Sequence, residues 1–167
     1  MSNANDIILS VSVIEIATHG PAQTRALGAR LGKLIQPGDV VCLAGELAAG
    51  KTTLAIGIGA GWGALEIVNS PTFVLVNEYS RPGGDRLYHV DAYRLRDAVD
   101  AETIALPDLL NDPQAALLVE WPERVLPLLP SERLWIALCW MGDETRQVRV
   151  EAAGERYEQI LRSMGDT

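Results

Sequence analysis

Positive charge is scarce: 14 Lys and Arg stand against 22 Asp and Glu in 167 residues, a formal net charge of −8. A protein that grips nucleic acid by itself must meet the phosphate backbone with clustered cations, so this balance argues against that class. Cysteine is nearly absent. Cys42 and Cys139 both sit inside apolar runs and far from metal-ligand spacing. They are expected to be buried thiols in a reducing compartment, not disulfide or zinc partners. No apolar run approaches the ~20 residues that span a bilayer. The polar start, Met1 to Asp6, lacks the basic-then-apolar pattern of a signal peptide. Long linkers, low-complexity tracts and internal repeats are also missing. What remains is 48% apolar and 22% charged, an ordinary globular composition. The expectation is one cytoplasmic domain over residues 1–167, with 1–9 flexible and no membrane association.

The patterning predicts alternating strands and helices. Strands are expected at 10–16, 40–44, 73–79, 86–92, 115–119, 133–140 and 146–152. Helices are expected at 22–35, 97–111 (with a break at Pro107) and 155–164. Val40-Val41-Cys42-Leu43-Ala44 is apolar at every position, which suits a strand buried on both faces in the middle of a sheet. The turn residues 80–85 predict an antiparallel hairpin between the third and fourth strands. The fold class is α/β: a P-loop NTPase-like domain with a mixed, mainly parallel central sheet and flanking helices.

Gly45-Glu46-Leu47-Ala48-Ala49-Gly50-Lys51-Thr52 matches G-x-x-x-x-G-K-[ST]. It leaves an apolar strand and enters a helix-compatible segment, which is the context this motif requires. Backbone N–H groups in such a loop and at the helix start converge on phosphates. Lys51 is expected to reach the β- and γ-phosphate oxygens, and the Thr52 hydroxyl to take a place on Mg²⁺. A second cluster, Gly57, Gly59, Gly61 and Gly63, fits the loose pattern G-x-G-x-x-[GA] but trails that helix instead of opening one. It reads as the helix end plus a turn.

Hydrolysis also needs a metal-holding acid and a group that orients water. Glu120 ends the apolar strand 115–119, where a Walker-B acid belongs, and Asp91 lies toward the end of another strand. Glu78 and Glu123 suit solvated or structural positions. Ser70-Pro71-Thr72-Phe73 stands where a hydroxyl-bearing switch loop would meet metal or phosphate. A Ser70–His89–Asp91 triad is disfavoured, since no G-x-S-x-G elbow exists; His89 reads as a hydrogen-bonded structural histidine. Trp121 suits either stacking on a nucleotide base or core packing. Trp62, Trp135 and Trp140 are expected to pack.

Taken together, GELAAGKTT (45–53), SPTF (70–73) with Val76-Asn77-Glu78-Tyr79, YHVDAYRL (88–95) and EWPE (120–123) closely resemble the TsaE (YjeE-like) family. That family is the ATPase component of bacterial tRNA threonylcarbamoyladenosine synthesis. The match spans roughly residues 20 to 150. The usual family loop reads closer to GDLGAGKT; here Glu46 and Ala48 replace Asp and Gly, and Ala48 sets a methyl where the backbone approaches phosphate. The acid-rich segment after Tyr93-Arg94 is divergent, so the resemblance assigns Glu102 no role. It does imply ATP or ADP and Mg²⁺ as ligands, held by Glu46, Leu47, Ala48, Ala49, Gly50, Lys51, Thr52 and Thr53. Trp121 and Arg146 are candidate contributors to the nucleotide pocket. By the same resemblance Glu120 is the Mg²⁺ acid, with Thr52 on the metal, and Thr72 and Asp91 are metal-shell or water-orienting candidates. Lys51, Asp91 and Glu120 are the expected catalytic set. The implied activity is an ATPase that is weak alone and stimulated by the TsaB–TsaD heterodimer, which modifies adenosine 37 of tRNA; contact with tRNA runs through those partners. The alternatives are a small-molecule P-loop kinase and a non-hydrolytic nucleotide-binding module.

Overall fold

A computed structural model describes residues 11–71, 75–97 and 99–165. Thr72, Phe73 and the segment 1–9 lie outside the described residues, and with them the first residues of the strand expected at 73–79. Seven strands form one sheet in the order β1-β7-β6-β2-β5-β4-β3. These are β1 (Val11–His19), β2 (Val40–Ala44), β3 (Val76–Ser80), β4 (Arg86–Asp91), β5 (Ala115–Glu120), β6 (Arg133–Trp140) and β7 (Thr145–Ala153). The four middle strands, β6-β2-β5-β4, run parallel, and antiparallel pairings add β7 and β1 at one side and β3 at the other. Every residue of β2 and of β5 is buried, as apolar-throughout strands in a parallel core require.

Alternation along the strands splits the core in two. Val41, Leu43, Leu118, Leu134 and Ile136 face one side, under α1 (Pro21–Gly32), α2 (Lys51–Trp62) and α4 (Glu155–Gly165). Val40, Cys42, Val90, Leu117 and Val119 face the other, packed by Leu106 and Val125 from shorter helical turns. Pro21 opens α1, where its missing N–H has no helical acceptor to serve.

Several expectations are corrected. The first strand runs on to His19. α1 stops at Gly32, so Leu34 and Ile35 follow it, although Ile35 is fully buried. The stretch 97–111 is two pieces, a 3₁₀ turn Asp100–Ile104 and α3 (Leu106–Leu110). The break is Ala105, at φ 51 in the left-handed region, whereas Pro107 sits in the first turn of α3, where proline is tolerated. A further 3₁₀ stretch, Pro122–Leu128, follows β5. Cys42 is buried but Cys139 is exposed. Trp140 is 61% exposed, because β6 runs on past the end of β2, whose last residue pairs with Ala137, and only β7 flanks it there; Trp135 is half-buried.

The glycine cluster is explained by the contact of α1 with α2. A Cβ at Gly57 would strike the Arg25 carbonyl oxygen, and one at Gly61 would strike that of Ala29. From the other side, Gly28 meets the Leu54 carbonyl and Gly32 that of Ile58. Two glycines four residues apart on each helix bring the backbones themselves together. Gly59 instead makes room for the Val68 side chain. The helical cost of glycine, roughly 1 kcal/mol each, is offset by this close approach.

Candidate functional site

The site lies at the C-terminal ends of the parallel strands, where α/β sheets place their ligands. β2 runs into the loop Gly45–Gly50, and α2 begins at Lys51. Gly45 has φ 142, and a Cβ there would collide with the Leu138 carbonyl oxygen. Gly50 has φ 107, a left-handed turn that aims the free N–H groups at the start of α2 back over the loop. Ala48 also adopts the left-handed region, at φ 63, the conformation for which glycine is suited.

Neighbouring strand ends bring acids to this loop. The β4–β5 register sets Asp91 beside Glu120, and the β2–β5 register sets Leu43 beside Glu120. Main-chain bonds fix these ends: the Ala92 N–H donates to the Glu120 carbonyl at 3.0 Å and the Trp121 N–H to that of Leu43 at 3.2 Å. Asp91, Glu120 and Lys51 are all buried. The Thr52 hydroxyl donates to Glu120 Oε2 at 3.5 Å, and His89 Nε2 donates to Glu120 Oε1 at 2.9 Å. Asp91 Oδ1 accepts the Tyr93 N–H at 2.9 Å.

Lys51 bends back on its own loop. Its Nζ donates to the Gly45 carbonyl at 2.5 Å and the Glu46 carbonyl at 2.7 Å, and sits 4.1 Å from the centre of the Trp121 ring. Burial lowers the Lys51 pKa from its ordinary value, against the opposing pull of Glu120, Glu123, Asp91 and Glu46. Trp121 is half-buried at φ 58 and packs on Tyr93, ring centres 4.9 Å apart. It therefore stands beside Lys51.

A cleft of about 310 Å³ joins Lys51, Thr52, Thr53, Asp91, Glu120 and Trp121. Ser70 and Arg146 also border it. Arg146 comes from β7, and its Nε donates to the Ala49 carbonyl at 2.9 Å, bracing the loop. Gly50, Thr53 and Arg146 are shared with a second hollow lined by Gly20, Thr24 and Glu144, which extends the cleft away from Glu120. Glu46 and Leu47 are exposed on the loop and Ala49 is buried. Of the less favoured acids, Glu78, Glu102 and Glu123 are all exposed, and Glu78 lies 3.9 Å from Arg86. Thr72 lies outside the described residues. Sequence reasoning missed the tie between His89 and Glu120 and the carbonyl bracing by Arg146. Only strand register reveals the first.

The donor set suits a hard divalent cation shared with phosphate: one hydroxyl and one carboxylate, both oxygen, beside a cradle of N–H groups. Among the described residues no group of three or more His, Cys, Asp or Glu is placed to hold a metal without such help.

Comparisons with known proteins bear on the family and the fold. A family model described as "Threonylcarbamoyl adenosine biosynthesis protein TsaE" matches residues 18–148. The tRNA threonylcarbamoyladenosine biosynthesis protein TsaE of Bacillus subtilis is 39% identical over 147 residues, covering 88% of this chain and 90% of that protein. The Streptomyces coelicolor protein of the same name is 44% identical over 139 residues, 80% of this chain and 93% of its own length. The crystal structure of Bacillus subtilis YdiB superposes with a TM-score of 0.79 at 33% identity, over 93% of this chain and 96% of that one. On sequence and fold alike, the chain belongs to the TsaE family.

Proposed function

We propose that this protein binds ATP or ADP with Mg²⁺ on the loop 45–53, hydrolyses ATP slowly alone, and acts with the TsaB–TsaD pair in threonylcarbamoyladenosine modification of tRNA at adenosine 37. The observation that carries this reading is the meeting of Lys51, Thr52 and Glu120 at the head of α2, with Asp91 in the adjoining strand. The N–H groups at the helix start bind phosphate, and Lys51 swings from the Gly45 and Glu46 carbonyls onto the β,γ oxygens. Thr52 and Glu120 would hold Mg²⁺, which supplies charge neutralisation on the phosphates when bound. Asp91, anchored by the Tyr93 N–H, is the candidate to orient water. No described arginine other than Arg146 borders the cleft, and Arg146 is engaged with the loop carbonyls. Completion of the site by a partner therefore fits, as in phosphate-loop proteins that receive the final group in trans. The excess of acid over base accords with a subunit that leaves tRNA to its partners, in the cytoplasm.

The test is phosphate release from ATP, with and without TsaB–TsaD, alongside tRNA modification. Stimulation by the pair is expected, and Glu120→Ala and Asp91→Ala should each lower the stimulated rate more than they weaken nucleotide binding. Equal rates with and without partners, or full modification with Glu120→Ala, would refute it. Label transferred from ATP to a metabolite would point to a kinase instead.

A further inference from the structure

His89 is the most deeply buried polar side chain among the described residues, at 0% exposure, and the phosphate-loop chemistry gives it no role. It lies on the helix-covered face of β4, two residues after Leu87, in a position where an aliphatic side chain would pack at no polar cost. Burying an imidazole costs free energy unless it is hydrogen-bonded. Here it makes one such bond, to Glu120 Oε1 at 2.9 Å, while Nδ1 has no partner. Since a carboxylate only accepts, Nε2 carries the donated proton.

That bond decides where the carboxylate points. With Oε1 held, the other oxygen, Oε2, is turned to the Thr52 hydroxyl at the head of α2. The Lys51 ammonium lies 4.1 Å from the ring of Trp121, the residue next to Glu120, and the Glu120 charge acts on it, yet Glu120 is paired with His89 and forms no ion pair with Lys51. An untethered buried carboxylate beside an ammonium would swing onto it, since the attraction is large where water is excluded. The collapsed pair would remove the lysine from the phosphates and the acid from the cation together.

We propose that His89 is a positioning residue. By gripping Glu120 Oε1 it holds the carboxylate off Lys51 and presents Oε2, with Thr52, to the cation that accompanies the nucleotide. This rests on the nucleotide and Mg²⁺ reading above. Residues that orient a metal ligand without touching the metal typically change metal affinity by about 10- to 100-fold when replaced.

The experiment is calorimetric titration of the full chain with ADP, once in Mg²⁺ and once in EDTA, for the wild type and for His89→Leu, His89→Asn and His89→Gln. The ratio of the two affinities measures how well the cation is held, and the EDTA value checks that the loop itself is intact. His89→Leu is expected to lower the ratio by about 10-fold or more. His89→Asn should behave like Leu, since its amide stops short of Glu120. His89→Gln, whose amide reaches as far as Nε2, should restore most of the ratio. A ratio unchanged in the Leu or Asn variant would overturn the proposal. So would a Gln variant that folds while both others do not, since the contact would then be a structural staple. A wild type whose ADP affinity ignores Mg²⁺ would instead refute the underlying metal reading, before any variant is compared.

Discussion

Replacing Lys51 by Met keeps the length and volume of the side chain and removes its charge. Lys51 is 5% exposed, and its ammonium is bonded to two carbonyls at 2.5 and 2.7 Å and set 4.1 Å from the Trp121 ring. Charge-assisted contacts to phosphate contribute about 1.5–3 kcal/mol, roughly a 10- to 150-fold effect on affinity. Binding, however, exchanges those two carbonyl contacts for phosphate contacts, so only the surplus appears in the affinity. The expected loss is therefore toward the lower end, about 10- to 30-fold in Kd for ADP in Mg²⁺. The same substitution should destabilise the nucleotide-free fold by about 1–2 kcal/mol, since the carbonyl bonds and a cation–π contact of about 0.5–1 kcal/mol both go. Calorimetry gives the affinity and urea denaturation the stability. An affinity within twofold of the wild type would refute the role of Lys51. Weaker binding without any loss of stability would refute the view that the lysine is engaged by its own loop before nucleotide arrives.

Gly57→Ala should cost about 2–3 kcal/mol in urea denaturation, because its methyl meets the Arg25 carbonyl across the helix pair, whereas Gly165→Ala, with open space around it, should change little. Stability should also fall as pH rises from about 9 to 12. Burial pushes the Cys42 thiol from 9.0 up to about 12 and the Tyr157 phenol from 10.0 up to about 12. The unfolded chain then releases protons that the folded one keeps, so alkali favours unfolding. Cys42→Ala should flatten the early part of that decline, and a urea midpoint equal at pH 8 and pH 10.5 would contradict the argument.

The strand–loop–helix around 45–52 could be read directly because its signal is written in contiguous residues: two glycines, a lysine and a hydroxyl at fixed spacing between an apolar strand and a helix. Glu120 was legible for a related reason, ending a strand whose uniform apolarity marked it as central. Arg146 was harder, since the carbonyl it braces lies 97 positions away and a single arginine after a turn looks like any solvated one. Strand pairing alone brings His89 to Glu120, and local pattern cannot supply pairing. The glycines of α1 and α2 weaken each helix taken singly; their purpose exists only in the pair. Boundaries failed where conformation overrode pattern, as at Ala105, whose left-handed backbone ends a turn that proline was expected to end.

The same helix contact constrains motion. Helices separated by side chains can slide as rotamers exchange along the seam, but backbone resting on backbone offers no rotamers to exchange. α1 and α2 are therefore keyed like two interlocking rails, and the start of α2, the proposed phosphate site, is carried on a double support. Any displacement that nucleotide produces must then be taken up on the opposite wall of the cleft, where Asp91, Tyr93 and the turn at Trp121 meet. Under the function proposed above, one side of the site is the braced one, and a partner that senses nucleotide would read the other.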